Sequence, residues 1–539
     1  MSFQATRAKR SARTVSWVTE AAPSNDQPDI IYAGLHGSSL CVTHNATSGR
    51  GLVATRLCDK GDTLLVHDPL IRVLGTSHAS QRCHTCIAEA PKRTCPSCGF
   101  ARYCDSACET AARIQHHEEC LALQRWFQEW SPHEPGADVR ALARLLWLRM
   151  RHASDWWRPI AAMQSNRQKM SASVRDEAAT LAYRLARYIG SEQDLRALGL
   201  PSADALMELV CQHETNAFTL ADAHLNPLGV CIEPTFALIN HSCDPNAVIV
   251  FPDRVRGMPS KMHLVAIRPI SAGEEVRTSY VDVASCQAER QATLLERYCF
   301  ACECRLCKRM GWRDPRMALW CPQPKCTGWV VFQNAASSWT ACTQCEQVPN
   351  YVDTRALDAA PALVRHVQQA MYAQDVSATL PSSSIICDTL RQLCTQALPS
   401  HYSVWPLLYA AHTLAIEAHA WHDAVQWTML LCVGMQAGER TSQNEISTAL
   451  YPAGHPQRAV LLATLARLLC QDAVLGLDSL VRSVTRALAW PPIHLDAPDA
   501  RGRLAQAALV QALQDAMVAF GKETGGGAIG AEIRESLGE

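Results

Sequence analysis

The spacing of the cysteines constrains the fold of this chain more than any other feature of its sequence. Cysteine accounts for 25 of the 539 residues, and many of them lie in clusters with short, regular intervals. The chain begins MSFQATRAKRSAR, which lacks the apolar core of a secretory signal, so we expect it to stay inside the cell. Because the cytosol and the nucleus keep thiols reduced, disulfides explain the clusters poorly. Metal binding explains them better.

The first cluster, residues 83–120, holds eight candidate ligands in four pairs. Zinc binds four sulfur or nitrogen ligands in a tetrahedron, and a Cys-x2-Cys turn presents two sulfurs to one ion, so this cluster predicts two sites. A unit this short cannot form a core by packing alone, and bound metal would supply its folding energy. The alternative, a set of buried structural cysteines, does not account for the density and spacing. The ligands are Cys83, Cys86, Cys95, Cys98, Cys104, Cys108, His116 and Cys120.

Two further clusters follow downstream. Cys302-x-Cys304-x2-Cys307 is a triplet that lacks one ligand of a tetrahedron. The third cluster has the plan of a zinc ribbon, and we favour a zinc site there over free thiols, with a structural role. Its members are Cys321, Cys326, Cys342 and Cys345.

Composition and charge exclude several classes of protein. Hydrophobic residues make up 48% and charged residues 19% of the chain, a globular balance that excludes wholesale disorder. The 50 basic and 51 acidic side chains give a net charge of -1, so direct binding to nucleic acid is not expected. No apolar run approaches the length of a membrane span, and we expect no membrane partner.

Three motifs lie between residues 233 and 307. EPTFALINHSCDPNA covers 233–247, GEEVRTSYVD covers 273–282 and RYCFACECRLC covers 297–307. In the first, Asn-His-Ser-Cys directly follows the apolar run 236–239, and polar groups in such a place need partners from the protein or from a ligand. Alone, this tetrapeptide is more often a turn or a helix cap, and an isolated Tyr280 is more often a packed side chain. Their combination favours a functional site.

Together with SGRGL (48–52) and the order of the first cluster, these motifs resemble the SET and MYND domain-containing family of protein-lysine methyltransferases. In that family a MYND zinc finger interrupts the SET domain. The resemblance covers about residues 40–310, and YPAGHPQRAV (451–460) is similar to a segment of the family's tetratricopeptide-like C-terminal domain. It implies an α+β fold, in which a SET-domain β-fold is interrupted by the finger and followed by a zinc-binding post-SET region and an α-helical domain.

The domain boundaries follow from the motifs and from the helical periodicity outside them. We expect a flexible N-terminus (1–28), the first part of the SET domain (38–82), the MYND finger (83–120), a helical SET insert (121–204), the SET core (205–285), the post-SET zinc region (286–310), a zinc ribbon (318–348), the helical C-terminal domain (353–520) and a flexible tail (521–539).

The resemblance also implies how the metal ligands pair. In the family the two finger sites interleave, so that the first and third pairs hold one ion and the second and fourth pairs hold the other. His116 fits the family's His-x3-Cys spacing, and His117 is the alternative in the neighbouring register. The post-SET zinc takes the cysteine of NHSC. The implied sets are Cys83, Cys86, Cys104 and Cys108; Cys95, Cys98, His116 and Cys120; and Cys243, Cys302, Cys304 and Cys307. With the ribbon, three or four zinc ions are expected.

Family members bind S-adenosylmethionine in a pocket built from separate loops. The resemblance implies that a glycine-rich turn approaches this cofactor, that Tyr280 lies beside the transferred methyl group, and that Tyr298 and Phe300 line the lysine channel and flank the adenine. The implied catalytic residues are Tyr280 and Tyr298. The implied cofactor-binding residues are Gly49, Arg50, Gly51, Asn216, Asn240, His241, Tyr280 and Phe300.

The function implied is S-adenosylmethionine-dependent N-methylation of lysine in histone or non-histone proteins, in the nucleus, the cytoplasm or both. The expected partners are a lysine-bearing peptide, such as a histone tail, and a proline-rich peptide at the MYND finger. The alternative is a catalytically inactive SET–MYND scaffold that recruits proteins through the finger and the helical domain. The presence of Asn240, His241 and Tyr280 favours the enzyme.

Overall fold

A computed structural model of the chain describes residues 32–538, apart from 46–47, 253–256, 259, 310–311, 334–337, 373–379, 438–448, 471–477 and 491–498. The predicted flexible N-terminus, residues 1–28, lies outside the described residues. In the described ranges no helix has the length and apolar character needed to cross a membrane.

The strands are short and most of them belong to the predicted SET regions. They are β1 Leu40–Asn45, β2 Gly49–Ala54, β3 Thr63–His67, β4 Ile71–Leu74, β5 Arg93–Thr94, β6 Arg102–Tyr103, β7 Phe218–Ala221, β8 Pro227–Ile232, β9 Asn240–His241, β10 Ala247–Val250, β11 Met262–Ala266, β12 Glu275–Thr278, β13 Leu319–Trp320, β14 Trp329–Val330, β15 Phe332–Gln333 and β16 Ser338–Trp339.

Helices fill the insert and the C-terminal half of the chain. They are α1 Thr76–Ala79, α2 Ser106–Glu129, α3 Ala137–Arg149, α4 Arg158–Ala161, α5 Ala172–Ile189, α6 Glu192–Ala197, α7 Ala203–Asn216, α8 Gln287–Tyr298, α9 Arg305–Lys308, α10 Arg355–Ala359, α11 Pro361–Tyr372, α12 Ser383–Gln396, α13 Trp405–Glu417, α14 Trp421–Gln436, α15 Pro456–Leu469, α16 Asp478–Ala487, α17 Ala500–Ala519 and α18 Gly527–Leu537.

Three small sheets make up the two predicted SET regions. Their strand orders are β1-β2-β12-β9, β10-β11-β3 and β4-β8-β7. Strand β12 pairs antiparallel with β2 and parallel with β9, with Thr278 opposite His241. This parallel register sets the NHSC segment beside the strand that leads into Tyr280. Fully buried side chains such as Leu52, Phe236 and Val276 hold the sheets together.

The insert and the finger share one helix. The side chain of Asp105 accepts a hydrogen bond from the backbone N–H of Cys108, which caps α2, and α2 then continues through Glu129. It therefore crosses the predicted boundary at residues 120 and 121 without a break. Its buried face meets α3 and α5, whose apolar side chains repeat at helical spacing.

The C-terminal half consists of packed helices, as the periodicity predicts, and its core is continuous with one edge of the SET region. The prediction of a flexible tail over 521–539 was wrong for 527–537, which form α18. Ile529 and Ile533 are buried in the helical core, and the backbone N–H of Ala528 donates to the carbonyl of Pro252 in the SET region. The glycine-rich sequence before α18 forms the turn, with Gly526 at φ +81°.

Candidate active site and metal centres

Four groups of metal-binding side chains form in the described part of the chain. Each group brings four ligand atoms within 4.8 Å of one another, and the members are the four sets named above. All 25 cysteines are free thiols. Four sulfurs about 2.3 Å from one zinc ion stand about 3.8 Å apart, by tetrahedral geometry. The sulfur pairs here are 3.5–3.9 Å apart, so the donor sets fit zinc.

The finger places its fourth pair as the resemblance implies. His116 is buried on α2, and its Nε2 lies 3.6 Å from the Sγ of Cys98, whereas His117 is exposed. The Nδ1 of His116 lies 3.1 Å from the carboxylate of Glu119. An N–H at Nδ1 that donates to this carboxylate would leave Nε2 free for the metal, as in many zinc sites.

Glu119 is the centre of a buried charge cluster. Its side chain is completely buried and accepts from Arg140 Nε at 3.0 Å and from Arg144 Nη2 at 2.6 Å. Burial alone would raise the pKa of Glu119, but Arg144 and Arg140 outweigh it and hold the pKa well below its ordinary value. Glu119 is thus charged, and it joins the finger to α3.

The predicted site residues meet in a cavity of 1330 Å³ between the SET core and the C-terminal helices. Gly51 is the exception, because it does not line the cavity and instead packs against the side chains of Asn240 and Glu275. A Cβ at Gly51 would lie 2.8 Å from both Asn240 Nδ2 and Glu275 Oε1. The predicted residues that line the cavity are Gly49, Arg50, Asn216, Asn240, His241, Tyr280, Tyr298 and Phe300.

Two of the predicted cofactor-binding residues, Arg50 and Asn240, form hydrogen bonds that link the segments lining the cavity. The guanidinium of Arg50 donates to the hydroxyl of Tyr32 at 2.8 Å and to the carbonyl of Ala162. The amide of Asn240 donates to the Arg50 carbonyl at 3.0 Å and to Glu275 Oε1 at 2.8 Å. These bonds fix the side-chain amide of Asn240 and leave its Oδ1 to accept a hydrogen bond.

The aromatic residues of the two later motifs meet as a cluster. The ring centroids of Tyr280 and Tyr298 are 4.9 Å apart, and Phe300 meets Tyr280 edge to face at 6.5 Å. The Tyr280 hydroxyl donates to the carbonyl of Ile239 at 2.5 Å. Burial raises the pKa of Tyr280 and of Tyr298, so both phenols stay neutral near pH 7.

Sequence reasoning missed a contribution from the insert. The short stretch 162–166, just after α4, meets three predicted site residues. Besides the Ala162 bond to Arg50, the carbonyl of Gln164 accepts from Asn216 Nδ2 at 2.7 Å. Asn166 Nδ2 donates to the carbonyl of Tyr298 at 3.1 Å. The acceptor in all three contacts is a backbone carbonyl, so no side-chain motif signals them.

The cavity wall on the helical side was also missed at the level of residues. The notable members are aromatic, and they line the same cavity as the aromatic cluster of the SET side. They come from the segments before and within α13, which the motifs above do not cover, and from the loop before α15, which belongs to YPAGHPQRAV (451–460). These residues are Tyr402, Trp405, Tyr409, Tyr451 and His455.

Known proteins resemble this chain over its SET region. A SET domain family model matches residues 49–281. Histone-lysine N-methyltransferase SMYD3 of Mus musculus is 31% identical over 270 residues, which is 49% of this chain and 60% of that protein. N-lysine methyltransferase SMYD2-B of Danio rerio is 30% identical over 261 residues, 48% of this chain and 58% of that protein. The matched stretch thus spans about 60% of the length of these relatives.

Among solved structures, the SET domain of LSMT bound to lysine and AdoHcy aligns over 94% of this chain and 91% of its own, with 13% identity and a TM-score of 0.33. The SET domain match and the two relatives cover the region in which the interleaved finger ligands are inserted, and over this region the chain resembles the SET and MYND domain-containing lysine methyltransferases.

Proposed function

We propose that this chain is an S-adenosylmethionine-dependent protein-lysine N-methyltransferase. The observation that carries the proposal is Tyr280, whose neutral hydroxyl is anchored to Ile239 beside Tyr298 and Phe300 in the cavity. The names of the relatives, histone-lysine and N-lysine methyltransferases, describe the same chemistry.

The cavity fits the cofactor in size and in donor set. Its 1330 Å³ exceeds the 300–1,000 Å³ typical of small-molecule sites, so it can take a nucleoside and a substrate side chain together. When bound, S-adenosylmethionine would supply a methyl group on a positively charged sulfur. Asn240 offers Oδ1 as an acceptor for an ammonium group, and Gly49, at φ +74°, exposes its backbone with no side chain in the way.

The aromatic cluster would favour the neutral, reactive form of the substrate lysine and align its amine. A free lysine amine has a pKa near 10.4 and reacts only after it loses a proton, and a narrow apolar channel favours the neutral amine by desolvation. Tyr280 is not the base that removes the lysine proton, because its raised pKa keeps the phenol protonated and its hydroxyl donates a hydrogen bond to the carbonyl of Ile239. Its hydroxyl oxygen can instead accept an N–H of the amine and align the nitrogen lone pair.

We propose that the substrate is a protein, histone or non-histone, whose lysine enters between the SET core and the helical domain. The aromatic wall formed by Tyr402, Trp405, Tyr409 and Tyr451 supports this route, since it borders the same cavity as Tyr280. A proline-rich peptide at the finger remains part of the proposal, on the sequence resemblance alone.

Two measurements on zinc-loaded protein test the proposal. Calorimetry should show saturable binding of S-adenosylmethionine to one site, and Asn240→Ala should lose it. Transfer of labelled methyl groups to a lysine peptide library should fall by about 10²–10³ in Tyr280→Phe, with binding retained. Tyr183→Phe, an exposed tyrosine on α5, is the matched control. Metal-replete wild type that binds no S-adenosylmethionine would contradict the enzyme and support the scaffold.

A further inference from the structure

The imidazole of His241 lies between Tyr280 and the third metal group. His241 is 8% exposed, and both of its ring nitrogens have partners. Its Nδ1 is 3.0 Å from the backbone nitrogen of Tyr280. Its Nε2 is 3.2 Å from the Sγ of Cys243. One buried ring therefore contacts both a proposed catalytic residue and a metal ligand.

The geometry determines which nitrogen carries the proton. The backbone N–H of Tyr280 can only donate, so Nδ1 must accept and carries no proton. A neutral imidazole with a bare Nδ1 has its proton on Nε2, and that N–H donates to Cys243 Sγ. A metal-bound cysteine is a thiolate, which makes this a charge-assisted hydrogen bond.

The same segment of chain holds Tyr280 at both of its polar ends. Ile239 accepts the hydroxyl at 2.5 Å and His241 accepts the amide at 3.0 Å. The parallel pairing of β9 with β12, extended by the Ser242 N–H that donates to the Thr278 carbonyl at 2.8 Å, fixes this segment. The imidazole also packs on the Tyr280 ring at 5.3 Å between centroids. A displacement of His241 must therefore displace Tyr280.

We propose that His241 is a positioning residue that couples the third metal site, Cys243, Cys302, Cys304 and Cys307, to Tyr280. Its imidazole transmits the position and charge of the Cys243 sulfur to the Tyr280 backbone. The importance of Tyr280 rests on the proposed function, whereas the coupling itself does not. Sequence reasoning placed His241 among the cofactor contacts, but its ring nitrogens are committed to the protein, so only its backbone and ring face remain for a ligand.

The variant His241→Asn separates the two bonds. The Asn side-chain oxygen occupies about the place of Nδ1 and can still accept from Tyr280, but no group reaches Cys243. We expect kcat to fall by about tenfold or more, since small displacements of an aligned group are costly, and the Kd for S-adenosylmethionine to change by a smaller factor. A purely structural role would instead move Kd and thermal stability along with kcat.

A spectroscopic test needs neither cofactor nor activity. Selective 15N-tyrosine labelling of the full chain gives at most 11 amide signals, and Tyr280→Phe identifies the one from Tyr280. Replacing zinc by cadmium should shift this signal in the wild type and leave it in place in His241→Asn. Tyr103 precedes Cys104, a ligand of the first site, so its amide should shift in both proteins and serves as the internal control.

The outcomes separate this inference from the proposed function. An unshifted Tyr280 signal in the wild type, or an equal shift in both proteins, overturns the coupling even if methyl transfer is present. A shift confined to the wild type supports it even if methyl transfer is absent. Should His241→Asn fail to fold, a scalar coupling between 113Cd and the His241 Nε2–H proton in the wild type is the expected sign of the bond, and its absence overturns the proposal.

Discussion

Replacing Glu119 by glutamine should loosen the junction between the finger and the insert. Glu119 pairs with two buried arginines, Arg140 at 3.0 Å and Arg144 at 2.6 Å. Arg140 also pairs with Glu134 at 2.9 Å, so the charge that the substitution leaves uncompensated is that of Arg144. The preceding residue offers a matched control. Glu118 also pairs with an arginine, Arg151, at 2.5 Å, but both of these side chains are about one third exposed. Glu118→Gln thus removes the same charge from the same helix without leaving a buried cation.

The difference in burial sets the expected magnitudes. Removing one partner of a fully buried ion pair costs about 3–5 kcal/mol, because the remaining charge stays uncompensated. An exposed pair is worth about 0–1 kcal/mol. At about 1.4 kcal/mol per factor of ten, Glu119→Gln should speed local opening by roughly two to three and a half orders of magnitude, and Glu118→Gln by less than one.

Hydrogen exchange of the amides in α3 measures this opening directly. We expect faster exchange in α3 for Glu119→Gln, and weaker zinc retention at the site of His116 because a neutral amide oxygen is a weaker acceptor for the histidine than a carboxylate. The reasoning is refuted if exchange in Glu119→Gln stays within a few-fold of Glu118→Gln. The pH dependence adds a check. The pKa of Glu119 is depressed in the folded state, so its contribution is complete above the ordinary glutamate pKa. As the pH falls through the depressed folded value, that contribution is lost and the wild type approaches the variant.

Three other predictions follow from the structure. In a calorimetric titration, Gly51→Ala should weaken S-adenosylmethionine binding by about tenfold, the worth of one hydrogen bond, because the added Cβ displaces Asn240. Gly49→Ala is the control: its Cβ would meet no neighbouring atom, but the backbone φ of +74° disfavours alanine, so the protein should lose stability and little affinity. Elemental analysis of purified protein should give four zinc ions per chain, one for each ligand group, and two or fewer would contradict the assignments. Asp515→Asn, which breaks a buried pair with an arginine on α15, should cost about 3–5 kcal/mol. Asp499→Asn, which breaks an exposed pair at the start of α17, should change the free energy of unfolding, determined by thermal melting, by less than about 1 kcal/mol.

The metal groups could be foreseen because their information is local in sequence. A Cys-x2-Cys turn brings two sulfurs together whatever the rest of the fold does. Pairing the turns needed more than spacing. Cys243 lies 59 residues before Cys302, and only the family resemblance joined them. The same holds for Asn240 and Arg50, which meet across two strands, 190 residues apart.

Contacts without a sequence pattern could not be foreseen. The carbonyls of Ala162 and Gln164 bind site residues through the backbone, which any residue could supply. The helix α18 was not foreseen because its glycines suggest a loose segment, and its position depends on a contact with Pro252, which is far away in the sequence. Glu119 looked like one acidic residue among several on α2. It becomes the buried partner of two arginines only because α3 packs against α2 and brings Arg140 and Arg144 to its carboxylate.

The two walls of the cavity are fixed by different parts of the chain. Tyr280 is held by the segment 239–241, whose place is set by the β9–β12 pairing inside the SET core. The helical wall reaches the same region through Tyr451, whose hydroxyl donates to Asp282 at 3.1 Å, across 169 positions in sequence. Substitutions in the helical domain can therefore alter the wall that a substrate meets and leave the segment that holds Tyr280 unchanged. Selectivity for a protein substrate should accordingly follow the helical wall, and variants there should change KM among peptides while kcat on a minimal lysine peptide stays constant.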